Sequence, residues 1–412
     1  MSMSDLSFVS HLEGAIDGTI LPAGAMRTTH EGRPILVRYD LARVGAAVRR
    51  ESLRGRPQTM WRYHELLPVG DERSIVSLGE TVTPLLACPR LGARLGAARL
   101  FIKDESRLPT ASFKARGMAV AVSMARRSGV RRVVAPTAGN AGGALAAYAA
   151  RAGIDCLLFM PVQTPMVNRH EAGLHGAKVF LVDGLISDCG RIARQAAEAL
   201  GAFDMSTLRE PYRIEGKKTM GLELAEQMGW SLPEVILYPT GGGTGLIGMW
   251  KAFDELARLG WLESEKHPRM YACQSDGCPP MVEAFEAGER FAQAPPEPHT
   301  IASGLCVPVA VGDFLILDAV RASGGKAMAA DEHRIREWMR LAGETEGISL
   351  CPESAVCLGV LERALAEGEI GRDETIVIFN TAAAQKYVEA MEVELPVIDH
   401  TKPIDWEAAV CW

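Results

Sequence analysis

Three short segments hold residue types able to do chemistry. Lys114 lies in Pro109-Thr110-Ala111-Ser112-Phe113-Lys114-Ala115-Arg116-Gly117, shortly after Lys103-Asp104-Glu105. A lysine at a loop-to-helix junction among small residues can carry an imine and shuttle protons, once partial desolvation lowers its pKa. Alone, the segment also describes a surface lysine lying over Phe113. The second segment, Pro136-Thr137-Ala138-Gly139-Asn140-Ala141-Gly142-Gly143, enters an alanine-rich helix. Free N–H groups at such a helix start can hold a carboxylate. The Asn140 amide can donate to a phenolate oxygen, or simply cap the helix. The third is Pro239-Thr240-Gly241-Gly242-Gly243-Thr244-Gly245-Leu246-Ile247-Gly248. Consecutive glycines let backbone N–H groups converge on a phosphate, and the helix that follows adds its positive end.

The third segment leaves two anions open. Gly243, Gly245 and Gly248 satisfy the dinucleotide spacing, with Glu263 available as a ribose ligand. A Walker loop is excluded, because no Gly-Lys-Ser/Thr follows. The dinucleotide reading leaves the first two segments unused, whereas one cofactor with an aldehyde, a phenolate and a phosphate uses all three.

Short apolar runs must position these segments. Strands are predicted at Ile35 to Arg38, Leu100 to Lys103, Val133 to Ala135, Cys156 to Met160, Val179 to Val182, Val235 to Tyr238, Met270 to Gln274 and Thr375 to Phe379. Helices are predicted at Asp40 to Arg50, Lys114 to Arg127, Gly143 to Ala152, Asp188 to Leu200, Thr219 to Met228 and Leu246 to Leu259. Alternating buried strands and helices indicate an α/β protein with parallel sheet, whose ligands bind at the carboxyl ends of strands. Residues 1–75 read as an Arg-rich extension packing on the main body. Three prolines between Ala292 and His299 mark a surface loop, and residues 396–412, with Trp406 and Trp412, form a tail.

Composition narrows the partners. Apolar residues make up 48% and charged residues 23%, with a net charge of −7, which argues against capture of nucleic acid or an anionic membrane. No run suits a membrane span, and Met1 to Ser10 lacks the pattern of a signal peptide. The nine cysteines read as free cytosolic thiols. Cys273 and Cys278, Cys351 and Cys357, and His170-Glu171 with His175 all miss the spacings of metal sites, so no metal is expected.

Together these residues resemble the fold-type II pyridoxal-phosphate enzymes, the tryptophan synthase β-like family, and among them most closely the threonine synthases. The likeness runs from about Pro34 to Glu389. Besides the three segments it includes Arg213-Ile214-Glu215-Gly216-Lys217-Lys218-Thr219, Asp183-Gly184, Glu346-Gly347-Ile348 and Pro352-Glu353-Ser354-Ala355. The resemblance implies two three-layer αβα lobes with pyridoxal 5'-phosphate in the cleft between them. Residues 76–117 and 213–395 would form the large cofactor-binding domain, and 118–212 a small mobile one. Lys114 would be the catalytic residue and carry the cofactor as a Schiff base. Phe113, Asn140, Gly241, Gly242, Gly243, Thr244, Gly245 and Thr381 would bind the cofactor, Asn140 facing the phenolate and Thr381 the pyridine nitrogen. Thr137, Ala138, Gly139 and Ala141 would meet the substrate, with Arg213, Lys217 and Lys218 as partners for a substrate phosphate.

The implied activity is a lyase of amino-acid biosynthesis, making threonine and phosphate from O-phosphohomoserine and water, in a cytoplasmic homodimer. Alternatives are a β-eliminating or β-replacing relative, such as a serine/threonine dehydratase, diaminopropionate ammonia-lyase or cysteate synthase-like enzyme. A NAD-dependent dehydrogenase and a catalytically silent relative are further ones. Two departures from the threonine synthase pattern favour the relatives. Ala141 stands where threonine is common, and Thr381-Ala382-Ala383-Ala384-Gln385-Lys386 stands for Thr-Gly-Ser-Gly-Leu-Lys. Added Cβ atoms restrict positive φ, predicting a different loop path or a narrower pocket.

Overall fold

The structure, a computed structural model, describes residues 7–24, 26–393 and 395–406. Trp412 and Cys411 lie outside the described residues, as do residues 1–6 and Glu394. The N-terminal segment is more ordered than its composition suggests. Strands β1 (Val9–Gly14), β2 (Ile20–Leu21) and β3 (Ile35–Tyr39) form an antiparallel sheet with β1 in the centre, followed by helix α1 (Leu41–Ala47). Asp40 caps α1 by accepting from the Arg43 N–H. Buried Leu12, Ile35 and Val37 anchor this sheet in a core shared with the helix that begins at Lys114.

The main body then opens with β4 (Leu85–Ala87), α2 (Pro89–Leu95), β5 (Arg99–Asp104) and α3 (Lys114–Arg127). Next come β6 (Arg132–Pro136), α4 (Asn140–Ala152), β7 (Asp155–Pro161), α5 (Met166–Leu174), β8 (Lys178–Val182), α6 (Ile186–Leu200) and β9 (Phe203–Asp204). These four strands make a parallel sheet in the order β8-β7-β6-β9. Its two faces separate by strand periodicity. Val133, Ala135, Leu158 and Met160 pack with α3 and α4, while Val134, Leu157 and Phe159 pack against Cys189 and Ala193 of α6.

The chain returns through α7 (Tyr212–Gln227), β10 (Val235–Pro239), α8 (Thr244–Arg258), β11 (Arg269–Ser275), α9 (Pro280–Glu286), α10 (Asp313–Ala322), β12 (Ala327–Ala330), α11 (Ile335–Glu346), α12 (Pro352–Ala366) and β13 (Thr375–Asn380). The larger sheet has the order β12-β11-β10-β13-β5-β4, parallel except for the edge strand β4. Ile236, Tyr238, Met270, Ala272, Val377 and Phe379 face a core built with α7 to α10. Val235, Leu237, Tyr271, Cys273, Ile376 and Ile378 face another built with α2, α11 and α12. Strands buried on both faces explain the unbroken apolar runs in the sequence. The four-stranded and six-stranded sheets are thus each the middle of a three-layer αβα lobe.

Helix α7 begins at Tyr212, seven residues before the predicted start at Thr219, so Arg213 through Lys218 are helical and buried. Arg213, Glu215, Lys217 and Lys218 broke the apolar pattern that sequence reading relies on. The prolines between residues 292 and 299 do lie in an exposed loop without regular structure.

Candidate active site

Adjacent strands β10, β13 and β5 all end on one side of the large sheet. Their C-terminal loops therefore bring Gly241–Gly245, Thr381 and the approach to Lys114 together. The approach to Lys114 is strained. Thr110 and Ala111 adopt φ of 57° and 49°, the left-handed region that non-glycine residues avoid. Neighbouring contacts hold it there. The Phe113 N–H donates to the Thr381 carbonyl at 2.9 Å, the Ala383 N–H to the Ala111 carbonyl at 3.0 Å, and Lys386 Nζ to the Thr110 carbonyl at 3.2 Å. Arg116 pins the first turn of α3 through Glu105 at 2.5 Å and Glu223 at 3.0 Å, both pairs fully buried.

Lys114 is the first residue of α3 and keeps part of its surface open. Burial lowers its amine to about 8, the Arg213 guanidinium adds to the shift, and the Glu353 carboxylate opposes it. Lys217 lies close by. Its Nζ sits 3.9 Å from the Phe113 ring centroid, against 4.4 Å for Lys114, and donates to the Phe113 carbonyl. Burial, reinforced by Lys114, holds Lys217 well below the usual lysine range. Among the described residues it has no carboxylate ion-pair partner. Arg213 pairs with buried Glu210 at 3.1 Å and reaches Thr207 Oγ1 at 3.3 Å. Burial outweighs that pairing at both ends, lowering Arg213 and raising Glu210.

Lys218 is not brought to this cluster. It points away from Lys114, to Glu215 at 2.7 Å and Glu255 at 2.8 Å, over the Tyr39 ring. Adjacent helix positions face different directions, so the paired lysines of the sequence have different roles.

The glycine loop opens α8. Gly243, with φ +68°, is its N-cap, a conformation glycine adopts without strain. A Cβ on Gly245 would stand 1.9 Å from Tyr238 Oη, so only glycine lets the helix start approach β10 this closely. The first N–H groups of α8 have no intrahelical acceptor and lie at the loop that the sequence offers as an anion cradle. Glu263 does not serve it. That residue follows the far end of α8 and pairs with Arg50 at 2.6 Å. The helix from Thr244 to Arg258, about 22 Å long, separates it from Gly243. The dinucleotide reading fails on that distance.

From the small lobe, β6 delivers Thr137 to Ala141. Thr137 Oγ1 folds the loop by accepting from Gly142 N at 3.1 Å and Gly139 N at 3.3 Å. Ala138 and Ala141 are half-buried. Asn140, 8% exposed, is the first residue of α4. Its Nδ2 donates to Tyr387 Oη at 2.7 Å, while its Oδ1 has no partner. Thr381 Oγ1 lies 3.4 Å from Ser354 Oγ and 3.5 Å from Cys351 Sγ.

Sequence reading missed Glu353, Tyr387 and Ser303-Gly304. Glu353, 4% exposed, accepts from the Gly304 N–H at 2.8 Å and is raised by burial. Its one signal was its place in Pro352-Glu353-Ser354-Ala355, part of the family likeness, where no role was assigned to it. Tyr387 carried none. The alanines at 382–384 need no positive φ, and Ala383 is extended at φ −74°, ψ 137°. Bridges from Ala382 to Ser112 and from Ala383 to Leu350 hold the loop, so substituting glycine by alanine leaves its path unstrained.

Ser112 Oγ, Asn140 Oδ1, Ser303 Oγ and Glu353 Oε2 are buried without partners, Ser112 two residues before Lys114, Ser303 beside Gly139 and Glu353 beside Gly304. An amine, an anion cradle and unsatisfied polar atoms on both lobes fit an aldehyde-bearing aromatic phosphate. Among the described residues no group of three or more His, Cys, Asp or Glu is placed to hold a metal ion. No helix among them is long and apolar enough to cross a membrane.

Comparison with known proteins agrees. Residues 76–382 match the family described as pyridoxal-phosphate dependent enzyme. The chain is similar to the threonine synthase of Methanocaldococcus jannaschii, 36% identical over 85% of this chain and 86% of that one. It is also similar to that of Mycobacterium tuberculosis, 32% identical over 86% and 95%. Among solved structures, maize serine racemase superposes with a TM-score of 0.62 at 23% identity, covering 73% of this chain and 88% of that one. Diaminopropionate ammonia lyase from Escherichia coli gives 0.65 at 20%, covering 76% and 88%. These two show the fold alone. The chain belongs to the fold-type II pyridoxal-phosphate-dependent enzymes, on their threonine synthase-like branch.

Proposed function

We propose that this enzyme converts O-phosphohomoserine and water to threonine and phosphate. One observation carries the reading: buried Lys217 has no carboxylate ion-pair partner among the described residues and stands beside Lys114, with Arg213 next to it. An unpaired buried cation is costly unless an anion arrives to meet it. A phosphorylated substrate supplies that anion.

Lys114 is the residue that would hold the cofactor. Gly241, Gly242, Gly243, Thr244 and Gly245 would take its phosphate, Asn140 its phenolate oxygen, and Thr381 its ring nitrogen, with Phe113 beside the ring. Bound pyridoxal phosphate supplies an electron sink that makes the substrate α-hydrogen acidic. An amine at about 8 is neutral in a useful fraction at neutral pH, so Lys114 can take that proton and return it. Thr137, Ala138, Gly139 and Ala141 border the substrate carboxylate at the start of α4. Residues 118–212 act as the closing lobe and keep water out until the addition step.

The family reading carries two further proposals, a homodimer and a cytoplasmic location, the first tested by solution mass. The activity is tested by offering purified enzyme O-phosphohomoserine and measuring threonine and phosphate in equal amounts. Turnover of serine, threonine or diaminopropionate, with none of the phosphorylated substrate, would replace this reading with an eliminating relative.

A further inference from the structure

We infer that Lys386 is a positioning residue, through which contact with the small lobe fixes the turn that aims Lys114. The inference rests on the reading of Lys114 as the cofactor lysine. It adds Glu171 as the small-lobe end of the link.

Lys386 follows β13 on a short turn and is 3% exposed. Its Nζ joins two elements far apart in sequence. It donates to Glu171 Oε2 on α5 at 2.5 Å and to the Thr110 carbonyl at 3.2 Å. Among the described residues, Lys386 and Glu171 have no other ion-pair partner. Gly143 on α4 makes room for the reach. A Cβ there would stand 1.7 Å from Glu171 Oε2, so glycine lets the carboxylate lie against the helix.

Three neighbouring bonds run the same way. Asn140 Nδ2 donates to Tyr387 Oη at 2.7 Å, Asn168 Nδ2 to the Lys386 carbonyl at 3.4 Å, and the Met166 N–H to Glu389 Oε1 at 2.9 Å. Residues 386–389 thus follow a strand of the large sheet, yet α4 and α5 of the small lobe hold them at four points.

At its other end the link meets strained backbone. Thr110 and Ala111 have positive φ and must be held there. The bonds from Phe113 N–H to Thr381 and from Ala383 N–H to Ala111 lie within the large lobe and survive movement of the small one. The Lys386–Thr110 bond does not. A buried ammonium needs an anionic partner, so Lys386 follows Glu171 when the small lobe withdraws. The Thr110 carbonyl then loses its side-chain donor, four residues before Lys114. Lobe closure and the aim of Lys114 are therefore coupled.

The test is amide hydrogen exchange in this turn, measured on the holoprotein. Glu171→Gln changes a residue of the other lobe. It is expected to speed exchange of the Ala111 and Phe113 N–H groups about tenfold, the scale of one hydrogen bond. Gly143→Ala favours the helix but displaces the Glu171 carboxyl, and acts in the same direction. Lys386→Met removes both bonds, and adding Glu171→Gln to it speeds exchange no further. A second readout is kinetic. In Lys386→Met a misaimed Lys114 lowers kcat about 10- to 100-fold while KM stays within about threefold. Lys386→Arg, which keeps a cation between both acceptors, recovers most of that loss. The probe is whichever of O-phosphohomoserine, serine, threonine and diaminopropionate the native enzyme turns over.

Unmoved exchange in both Glu171→Gln and Gly143→Ala overturns the link, as does kcat within about threefold of native in Lys386→Met. If Lys386→Met does not fold, or none of the four amino acids reacts, the exchange rates of the other two variants decide alone. Lys114→Ala tells the two levels apart. If it still removes the α-hydrogen at the native rate, the site reading fails and the inference with it. If it abolishes that step while the exchange rates stay unmoved in the other variants, the inference alone is wrong.

Discussion

Replacing Gly245 by alanine probes the proposed phosphate cradle through a defined steric conflict. The new methyl would lie 1.9 Å from Tyr238 Oη and 2.3 Å from its Cζ. Ordinary carbon contacts need ~3.5 Å, so something must give by about 1.5 Å. Tyr238 is poorly able to move. It is 1% exposed, stands on β10 in the interior of the sheet, and touches Phe113 and Phe379 with ring centroids 6.2 and 5.7 Å away. The start of α8 must retreat instead, carrying the loop N–H groups out of hydrogen-bond reach of a phosphate. Overpacking costs about 1–3 kcal/mol, and each bond lost to a charged phosphate about 1.5–3 kcal/mol. A net loss of ~2–4 kcal/mol in cofactor binding corresponds to roughly 30- to 1,000-fold weaker affinity. The assay is equilibrium titration of the apoprotein with pyridoxal phosphate, alongside urea unfolding to separate lost binding from lost folding. Gly173→Ala is the control, because its Cβ meets nothing within 4 Å and its φ is not left-handed. If Gly245→Ala bound the cofactor within about threefold of the native protein, the glycine loop would not be the phosphate site.

Five further outcomes follow from the geometry. Capture of the cofactor by apoprotein requires neutral Lys114, so its rate rises with pH up to about 8 and then levels. Arg213→Met, which removes a cation that lowers Lys114, moves that break to higher pH in stopped-flow traces. Lys217→Met exchanges a buried amine, held well below the usual lysine range, for an apolar chain of similar length. Thermal stability of the apoprotein is expected to hold or rise, while KM for O-phosphohomoserine increases about tenfold or more. Arg116→Met strands buried Glu105 and leaves Glu223 with only Lys103 as cation, with an expected loss of ~3–5 kcal/mol in urea unfolding. Ala383→Gly adds freedom the loop does not use, costing ~0.5–1 kcal/mol in unfolding and leaving cofactor affinity unchanged.

The parts of the fold that could be read in advance were those whose signal is local. Val235 to Tyr238 and Thr375 to Phe379 are continuous apolar runs because both sheet faces are covered. The range Lys114–Arg127 is observed as predicted. Helix α7 was shortened in the reading because its first turns bury charges that pair across the structure, Glu215 with Lys251 and Lys218 with Glu255 among them, and no periodicity reveals a partner distant in sequence. The same blindness placed Lys218 in the site alongside Lys217. Glu353 and Tyr387 escaped because they approach Asn140 only through tertiary packing. The alanine loop after Thr381 was expected to be disturbed, yet its extended backbone accommodates Cβ atoms.

The most direct test is chemical. Borohydride reduction of the cofactor-loaded protein fixes a lysine–cofactor bond permanently, and peptide mass mapping then locates it. The account predicts a pyridoxyl-phosphate mass on the peptide containing Lys114, and none on the peptide containing Lys217 and Lys218. An unmodified Lys114 in a fully loaded, reduced sample, or the label on another lysine, would contradict it.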